Sequence, residues 1–472
     1  MKEKDSLKYI STRGKSPKLN FDQVVLTGLA PDNGLYLPEN WPRLRKREVL
    51  ELQNCSYQEI VYRTTLPFVG NSIPKKLFRT IIDNSYKTFR HKEIAPLFKI
   101  EENLWMMELF HGPSLAFKDF ALQLLGRLFD YFLKKKKQHI TILGATSGDT
   151  GSAAIEACKD KETIDIFILH PHKRITEIQR KQMTTINSSN VFNIAIEGSF
   201  DDCQNLVKKL FSDIDLSREK KLSSINSINW ARIIGQIPYY FHAASKLNLL
   251  DRGISFCVPS GNFGNAYACY AAKLIGLPIR KIIIGSNRND VLTRFFSSGS
   301  ITLSDVIATL SPSMDIQISS NLERYLFDIF NRSGIKTAEN LESFRAHGKL
   351  KVSRNNLLRI QEIFEAYKLD DRGTLRNIKK VYDNTGRVID PHSSIGFYSA
   401  TQANKSSSVP IVTLATADPS KFPQAVEKAM NIKTRLPKNL LSSFRRKERY
   451  NVLPNDFALV KDYISNQSST RK

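Results

Sequence analysis

The residue with the clearest potential for chemistry is Lys118, in the segment HGPSLAFKDF of residues 111–120. Its near neighbours, Phe117 and Phe120 among them, are mostly apolar. A lysine in apolar surroundings loses solvation of its charged form, so its pKa falls. The neutral amine can then act as a nucleophile, as a base or in a Schiff base. Most lysines are solvated surface residues, however, and composition alone does not distinguish this one.

Two glycine-rich loops are candidate anion sites. Residues 144–151 and residues 261–265 each follow a strand-like segment and open a helix-like one. Glycine lets a ligand approach the backbone closely, and N–H groups at a helix start favour negative charge. Neither loop matches the phosphate loop of nucleotide triphosphatases or the dinucleotide fingerprint. Each loop alone is as readily a tight connection, but the two loops and a lysine are the set that a pyridoxal-phosphate enzyme acting on amino acids requires.

Regular elements must hold these groups in place. After Lys118, apolar residues recur at helical spacing and predict an amphipathic helix with this lysine in its first turn and Ser114 as its N-cap. Strand, loop, helix and strand follow one another over residues 139–169 and again over residues 254–285. A third junction of strand and helix begins near residue 409. Such βαβ units predict an α/β fold with parallel sheets.

Composition limits the class of protein. The 472 residues suffice for two or more domains, and the net charge is +24. This charge suits a nucleic-acid partner or an anionic substrate, but the lysines are spread along the chain, which favours a solvated surface. The five cysteines are scattered and no apolar run could span a membrane. We therefore expect a cytoplasmic protein with reduced thiols, no metal site and no membrane or nucleic-acid partner.

Five segments, in order, resemble those of the threonine synthase family, in the branch found in many bacteria and in fungi. They are HGPSLAFKDF (111–120), ATSGDTG (145–151), NSINWAR (226–232), PSGNFGN (259–265) and ATADP (415–419). The resemblance extends from Tyr9 to about Pro437. It implies pyridoxal-phosphate fold type II, like the tryptophan synthase β subunit, with two open, twisted, parallel-type sheets flanked by helices. It also implies an N-terminal lead-in domain (1–95), a catalytic domain (96–435, its smaller subdomain about 112–240) and a C-terminal tail (436–472).

The resemblance implies a role for each candidate residue. Lys118 would bind pyridoxal 5'-phosphate covalently, and Thr416 would lie beside the pyridine nitrogen. The cofactor phosphate would be held by Gly261, Asn262, Phe263, Gly264 and Asn265. The substrate carboxylate would be received by Thr146, Ser147, Gly148, Asp149 and Thr150. The rest of the substrate would be lined by Ser227, Asn229 and Arg232. Arg174 is a candidate for the substrate phosphate, because an arginine fork suits that group, although it is equally a surface charge.

The implied reaction eliminates phosphate from O-phospho-L-homoserine and adds water at Cβ, giving L-threonine in the last step of threonine biosynthesis. The enzyme would be a carbon–oxygen lyase acting on phosphates, with Lys118 as the general base, working as a monomer or homodimer. Another pyridoxal-phosphate lyase, such as a threonine or serine dehydratase, is the nearest alternative, although the NSINWAR segment and the long lead-in argue against it. A basic nucleic-acid-binding protein is the alternative from another class.

Overall fold

The structure is a computed structural model that describes residues 7–146, 148–405 and 408–467. Its strands are β1 (Tyr9–Ser11), β2 (Tyr36–Pro38), β3 (Leu97–Glu101), β4 (Leu104–Glu108), β5 (Ile140–Ala145), β6 (Ile164–Pro171), β7 (Val191–Glu197), β8 (Leu222–Ser223), β9 (Ile254–Pro259), β10 (Ile279–Ser286), β11 (Ser300–Thr302), β12 (Lys349–Lys351), β13 (Phe364–Lys368), β14 (Ile411–Ala415) and β15 (Asn451–Pro454).

The helices alternate with these strands over most of the chain. They are α1 (Phe21–Thr27), α2 (Lys46–Leu50), α3 (Tyr57–Val69), α4 (Lys75–Tyr86), α5 (Lys118–Lys136), α6 (Asp149–Cys158), α7 (Glu177–Thr184), α8 (Phe200–Ser212), α9 (Ile214–Glu219), α10 (Trp230–Ile234), α11 (Ile237–Lys246), α12 (Gly264–Leu274), α13 (Val291–Ser298), α14 (Leu322–Ile329), α15 (Gly334–His347), α16 (Arg354–Ile363), α17 (Asp371–Thr385), α18 (Pro391–Asn404), α19 (Pro423–Met430), α20 (Lys438–Ser443) and α21 (Phe457–Gln467). Short 3-10 turns lie at Pro312–Met314 and Pro419–Lys421.

Contacts group the chain into two compact units. The first comprises Met1–Ala121 and Ser227–Thr434, and the second comprises Leu122–Asn226 and Arg435–Lys472. The division into residues 1–95, 96–435 and 436–472 remains a prediction. No helix in the described ranges is long and apolar enough to cross a membrane. Within the same ranges, no group of three or more His, Cys, Asp or Glu side chains could hold a metal ion.

The first unit is built on a six-stranded sheet in the order β13-β10-β9-β14-β4-β3. All pairings are parallel except that of β3 with β4. Every residue of β9 and β14 is buried, as expected for central strands of a parallel sheet with both faces covered. Because β9 and β14 are adjacent and parallel, the loops that follow them leave the same edge of the sheet. These loops begin at Ser260 and at Thr416.

The second unit contains a five-stranded, fully parallel sheet in the order β15-β7-β6-β5-β8. Strands β5 and β6 and the helix between them form the βαβ unit predicted for residues 139–169. The carboxyl end of β5 leads into the loop at Thr146, and the carboxyl end of β6 leads towards Arg174. The two remaining sheets of the chain, β1 with β2 and β11 with β12, are antiparallel pairs in the first unit.

The C-terminal segment is an ordered part of the second unit. Strand β15 extends the sheet by pairing with β7, and α21 follows it. The side chains of Val460 and Ile464 are fully buried against Leu206 and Leu210. This segment therefore contributes to a hydrophobic core, although its sequence is polar overall.

The helix that carries the lysine is confirmed, but the predicted cap is wrong. Helix α5 begins at Lys118 itself, four residues after Ser114. The N–H of Ser114 instead donates to Asp119 Oδ2 at 2.8 Å, which folds the preceding turn back on the helix start. Leu115 lies in this turn with φ of 62°, a left-handed conformation that disfavours the cap geometry.

Candidate functional site

The turn that precedes Lys118 is hydrogen-bonded to the residues that follow strand β14. The N–H of Phe117 donates to the carbonyl oxygen of Thr416 at 2.9 Å. The N–H of Asp418 donates to the carbonyl oxygen of Leu115 at 3.0 Å. The side chain of Lys118 is 9% exposed, and its Nζ lies 4.8 Å from the ring centre of Phe117. The structure thus brings together the predicted lysine and the predicted threonine, which are far apart in the sequence.

Thr416 is held from behind by a buried polar network that the sequence reasoning missed. Its N–H donates to Ser393 Oγ at 3.1 Å, and that hydroxyl donates to the carboxylate of Asp390, which is fully buried. The N–H of Ser313 donates to His392 Nε2 at 3.3 Å, so the ring hydrogen is on Nδ1. This Nδ1–H donates a hydrogen bond to Asp390 Oδ2 at 2.6 Å. An Asp followed by Pro at residues 390–391 is a helix-start signal that could have indicated the cap of α18.

The loop of residues 261–265 presents backbone N–H groups at the start of α12. Across the described part of the chain, no carbonyl or side chain accepts a hydrogen bond from these five N–H groups. Phe263 adopts φ of 59°, which turns the chain into the helix. A Cβ on Gly261 would lie 2.8 Å from the carbonyl oxygen of Ser313, so only glycine fits against this wall. Such N–H groups at a helix start, with the dipole behind them, fit a phosphate group.

The last residue of this loop closes the loop on itself. Asn265 Oδ1 accepts from Ser260 Oγ at 2.6 Å and from the N–H of Ala266 at 3.0 Å. Its Nδ2 donates to the carbonyl oxygen of Pro259 at 3.0 Å, and its own carbonyl accepts from Tyr240 at 2.8 Å. Asn265 is buried, and its side chain fixes the shape of the loop.

The segment predicted to line the substrate also belongs to the first unit. Asn229 caps α10 by accepting from the N–H of Ala231 at 2.9 Å, and its Nδ2 donates to the carbonyl oxygen of Val25 at 2.8 Å. Arg232 is buried, and this burial lowers the pKa of its guanidinium to about 10. Ser227 is half-buried. These contacts give Asn229 a structural task, and the substrate roles of the three residues remain predictions.

In the second unit, the loop before α6 is organised by Thr146. Its Oγ1 accepts from the N–H of Gly148 at 3.0 Å and from that of Gly151 at 2.9 Å. Gly148 has φ of 142°, and a Cβ there would collide with the side chain of Gln179. Gln179 Nε2 also donates to Asp149 Oδ1 at 3.2 Å, a contact between separate elements that the sequence did not indicate. Ser147 lies outside the described residues.

The remaining predicted residues of the second unit are less enclosed. Thr150 is half-buried in the first turn of α6. Arg174 is exposed and follows Lys173, whose φ of 59° turns the chain after β6. Arg174 is accessible, which suits both a substrate-phosphate ligand and a surface charge.

Comparison with known proteins gives consistent matches along the chain. Residues 8–86 match the sequence model described as threonine synthase N terminus, residues 89–416 match pyridoxal-phosphate dependent enzyme, and residues 393–464 match threonine synthase, C-terminal. A threonine synthase of Pseudomonas aeruginosa is 48% identical, over 99% of this chain and 100% of that protein.

Two solved structures are similar over nearly the whole chain. One is a pyridoxal-phosphate-bound threonine synthase of Brucella melitensis, with 44% identity, a TM-score of 0.96 and coverage of 98% of this chain and 100% of that one. The other is a threonine synthase of yeast, with 35% identity, a TM-score of 0.93 and coverage of 98% of this chain and 99% of that one. The two helix-flanked parallel sheets are accordingly those of pyridoxal-phosphate fold type II, as predicted.

Proposed function

Because the chain belongs to the threonine synthase family of pyridoxal-phosphate-dependent enzymes, we propose that it converts O-phospho-L-homoserine and water to L-threonine and phosphate. In this proposal it is a carbon–oxygen lyase of amino-acid biosynthesis that acts in the cytoplasm as a monomer or homodimer. The observation that carries the proposal is the fastening of the Lys118 turn to Thr416, at the sheet edge from which the loop of residues 261–265 also emerges.

The chain's own groups fit the cofactor. Lys118 would bind it covalently, and the N–H groups of residues 261–265, which have no protein acceptor in the described ranges, would hold its phosphate. Thr416 would lie beside the ring nitrogen, where a neutral hydroxyl leaves that nitrogen largely unprotonated. When bound, the cofactor supplies an electron sink for charge that develops on the substrate carbons.

Lys118 would also carry the protons. Once free, its amine would remove the proton from Cα of the substrate. The same amine would move protons at Cβ and Cγ, since the phosphate leaves from Cγ and water adds at Cβ. Burial of this side chain supports the role, because it keeps the amine within the protein and out of bulk solvent.

The predicted substrate residues keep their roles in this proposal. The loop of residues 146–150, at the start of α6, would receive the α-carboxylate. Two observations support this assignment. The hydroxyl of Thr146 accepts hydrogen bonds from two N–H groups that follow it in the chain, and Gly148 has no room for a side chain. Arg174 would bind the substrate phosphate through its guanidinium fork. Ser227, Asn229 and Arg232 would complete the substrate side.

A product assay tests the function. Holoenzyme supplied with O-phospho-L-homoserine should release phosphate and L-threonine in equal amounts. The same preparation of Lys118→Ala should release neither product and serves as the control. If the wild-type enzyme released phosphate with 2-oxobutyrate as the main organic product, the proposed function would be wrong and a simple lyase would take its place.

A further inference from the structure

A buried arginine lies behind the phosphate loop in the first unit. Arg324, in α14, is fully buried, and burial lowers its pKa to about 10, so it stays charged at neutral pH. Its guanidinium donates to the carbonyl oxygens of Tyr36 at 3.0 Å and Ile228 at 2.5 Å and to Oδ1 of Asn321. The neighbouring Glu323 raises the pKa of Arg324 through its charge, but its carboxylate hydrogen-bonds to Arg13 in an ion pair. The hydrogen-bond acceptors of Arg324 are thus neutral groups, and a buried charge of this kind projects a positive potential.

Asn321 links Arg324 to the phosphate loop by hydrogen bonds. Its Nδ2 donates to the carbonyl oxygen of Asn262 at 3.0 Å, and its backbone N–H donates to the same oxygen at 3.1 Å. That oxygen and the N–H of Phe263 belong to one peptide unit. Two donors on the oxygen, one of them polarised by a guanidinium, draw electrons through the peptide and make the Phe263 N–H a stronger donor. Phe263 is also the residue held at φ of 59°, which such a fixed peptide stabilises.

We propose that Arg324 and Asn321 are positioning residues for the cofactor phosphate, acting through the peptide unit between Asn262 and Phe263. The inference rests on the proposed cofactor site and deepens it. It accounts for the absence of a cationic side chain within residues 261–265, since the charge that complements the phosphate lies one layer behind the loop. The same pair contacts the carbonyl oxygens of Ser227 and Ile228, next to the predicted substrate segment.

The test compares pyridoxal phosphate with pyridoxal, which has the same ring and aldehyde but no phosphate. Both are titrated into apoprotein. The dissociation constant of pyridoxal divided by that of pyridoxal phosphate is the ratio that measures selectivity for the phosphate. We expect Arg324→Met and Asn321→Asp to lower this ratio about tenfold or more, the size of one charge-assisted hydrogen bond. Arg324→Lys, which keeps the charge, should recover part of it.

Arg332 offers a matched control. It also donates to a carbonyl of the lead-in, Pro38 at 2.6 Å, but pairs with Asp328 and does not contact Asn321. Arg332→Met should leave the ratio unchanged. Asn321→Asp replaces only the side-chain amide by a carboxylate, and it gains an ion pair with Arg324. This variant therefore tests the inference even where Arg324→Met does not fold.

An unchanged ratio in both variants would overturn the inference. Where the ratio is unchanged because both ligands bind more weakly by the same factor, the role of the two residues is purely structural. Wild-type apoprotein that bound neither ligand would instead remove the proposed cofactor site, so the two failures are distinguishable.

Discussion

Replacing Gly261 by alanine tests the phosphate loop with a single methyl group. An ideal Cβ would lie 2.8 Å from the carbonyl oxygen of Ser313 and 3.2 Å from Cα of Met314. Both contacts are with backbone, which cannot rotate away, and ordinary contacts require about 3.5 Å. The loop must therefore shift by roughly 0.5–1 Å. Such overpacking costs about 1–3 kcal/mol.

The shift should appear in cofactor affinity. Phosphate binding needs the N–H groups of residues 261–265 at hydrogen-bond distance, so the bound form bears the strain. A cost of about 1–3 kcal/mol corresponds to roughly 5- to 150-fold weaker binding of pyridoxal phosphate. Equilibrium titration of apoprotein, followed by absorbance, measures this change, and thermal unfolding of the same samples reports stability.

Gly386 supplies the control. It ends α17 with φ of 68°, and a Cβ there would meet nothing within 4 Å. Gly386→Ala should cost about 1 kcal/mol through the left-handed backbone alone. It should lower the melting temperature and leave cofactor affinity unchanged. If Gly261→Ala bound the cofactor with wild-type affinity, the assignment of this loop to the phosphate would be refuted.

Three further predictions concern stability. Glu323→Gln should destabilise the fold by about 3 kcal/mol in urea unfolding, because it leaves the buried Arg13 without its ion-pair partner; an effect below about 1 kcal/mol would contradict this. Burial lowers the pKa of His170 and of His242 to about 4, so the unfolded chain binds protons that the folded one does not as pH falls below about 6.5. Stability should drop by roughly 2–3 kcal/mol between pH 7 and pH 5.5, and substitution of both by Gln should flatten this dependence; an equal slope in the double variant would refute the cause. Ile464→Ala should cost about 2–4 kcal/mol, since its side chain is fully buried in the second unit, whereas a loosely attached tail would show no loss.

The elements around the site were predictable because their signals are local. Helical spacing after Lys118 and the strand–glycine–helix order at residues 139–169 and 254–285 each lie within about 30 residues of chain. The helix start at residue 390 also has a local signal, an Asp followed by Pro. The parallel pairing of β9 with β10 follows from the same pattern, because a βαβ unit imposes it.

The parts that sequence reasoning missed depend on contacts between distant residues. Arg324 donates to the carbonyl of Tyr36, 288 positions away, and no periodicity encodes such a pair. Gln179, in α7, donates a hydrogen bond to Asp149 at the start of α6, 30 positions earlier in the chain. The C-terminal strand was hidden because β15 is an exposed edge strand, whose residues show no apolar run. Ser114 was mistaken for a cap because the left-handed Leu115 leaves no trace in the sequence.

The most direct test of the account is chemical identification of the lysine that binds the cofactor. The purified holoenzyme should be yellow, and treatment with borohydride should remove the visible absorbance and attach a reduced cofactor to one peptide. Mass spectrometry of the digest should locate that label on Lys118, and Lys118→Ala should show neither the absorbance nor the label. A label on any other lysine, or an unchanged absorbance band in Lys118→Ala, would contradict the account.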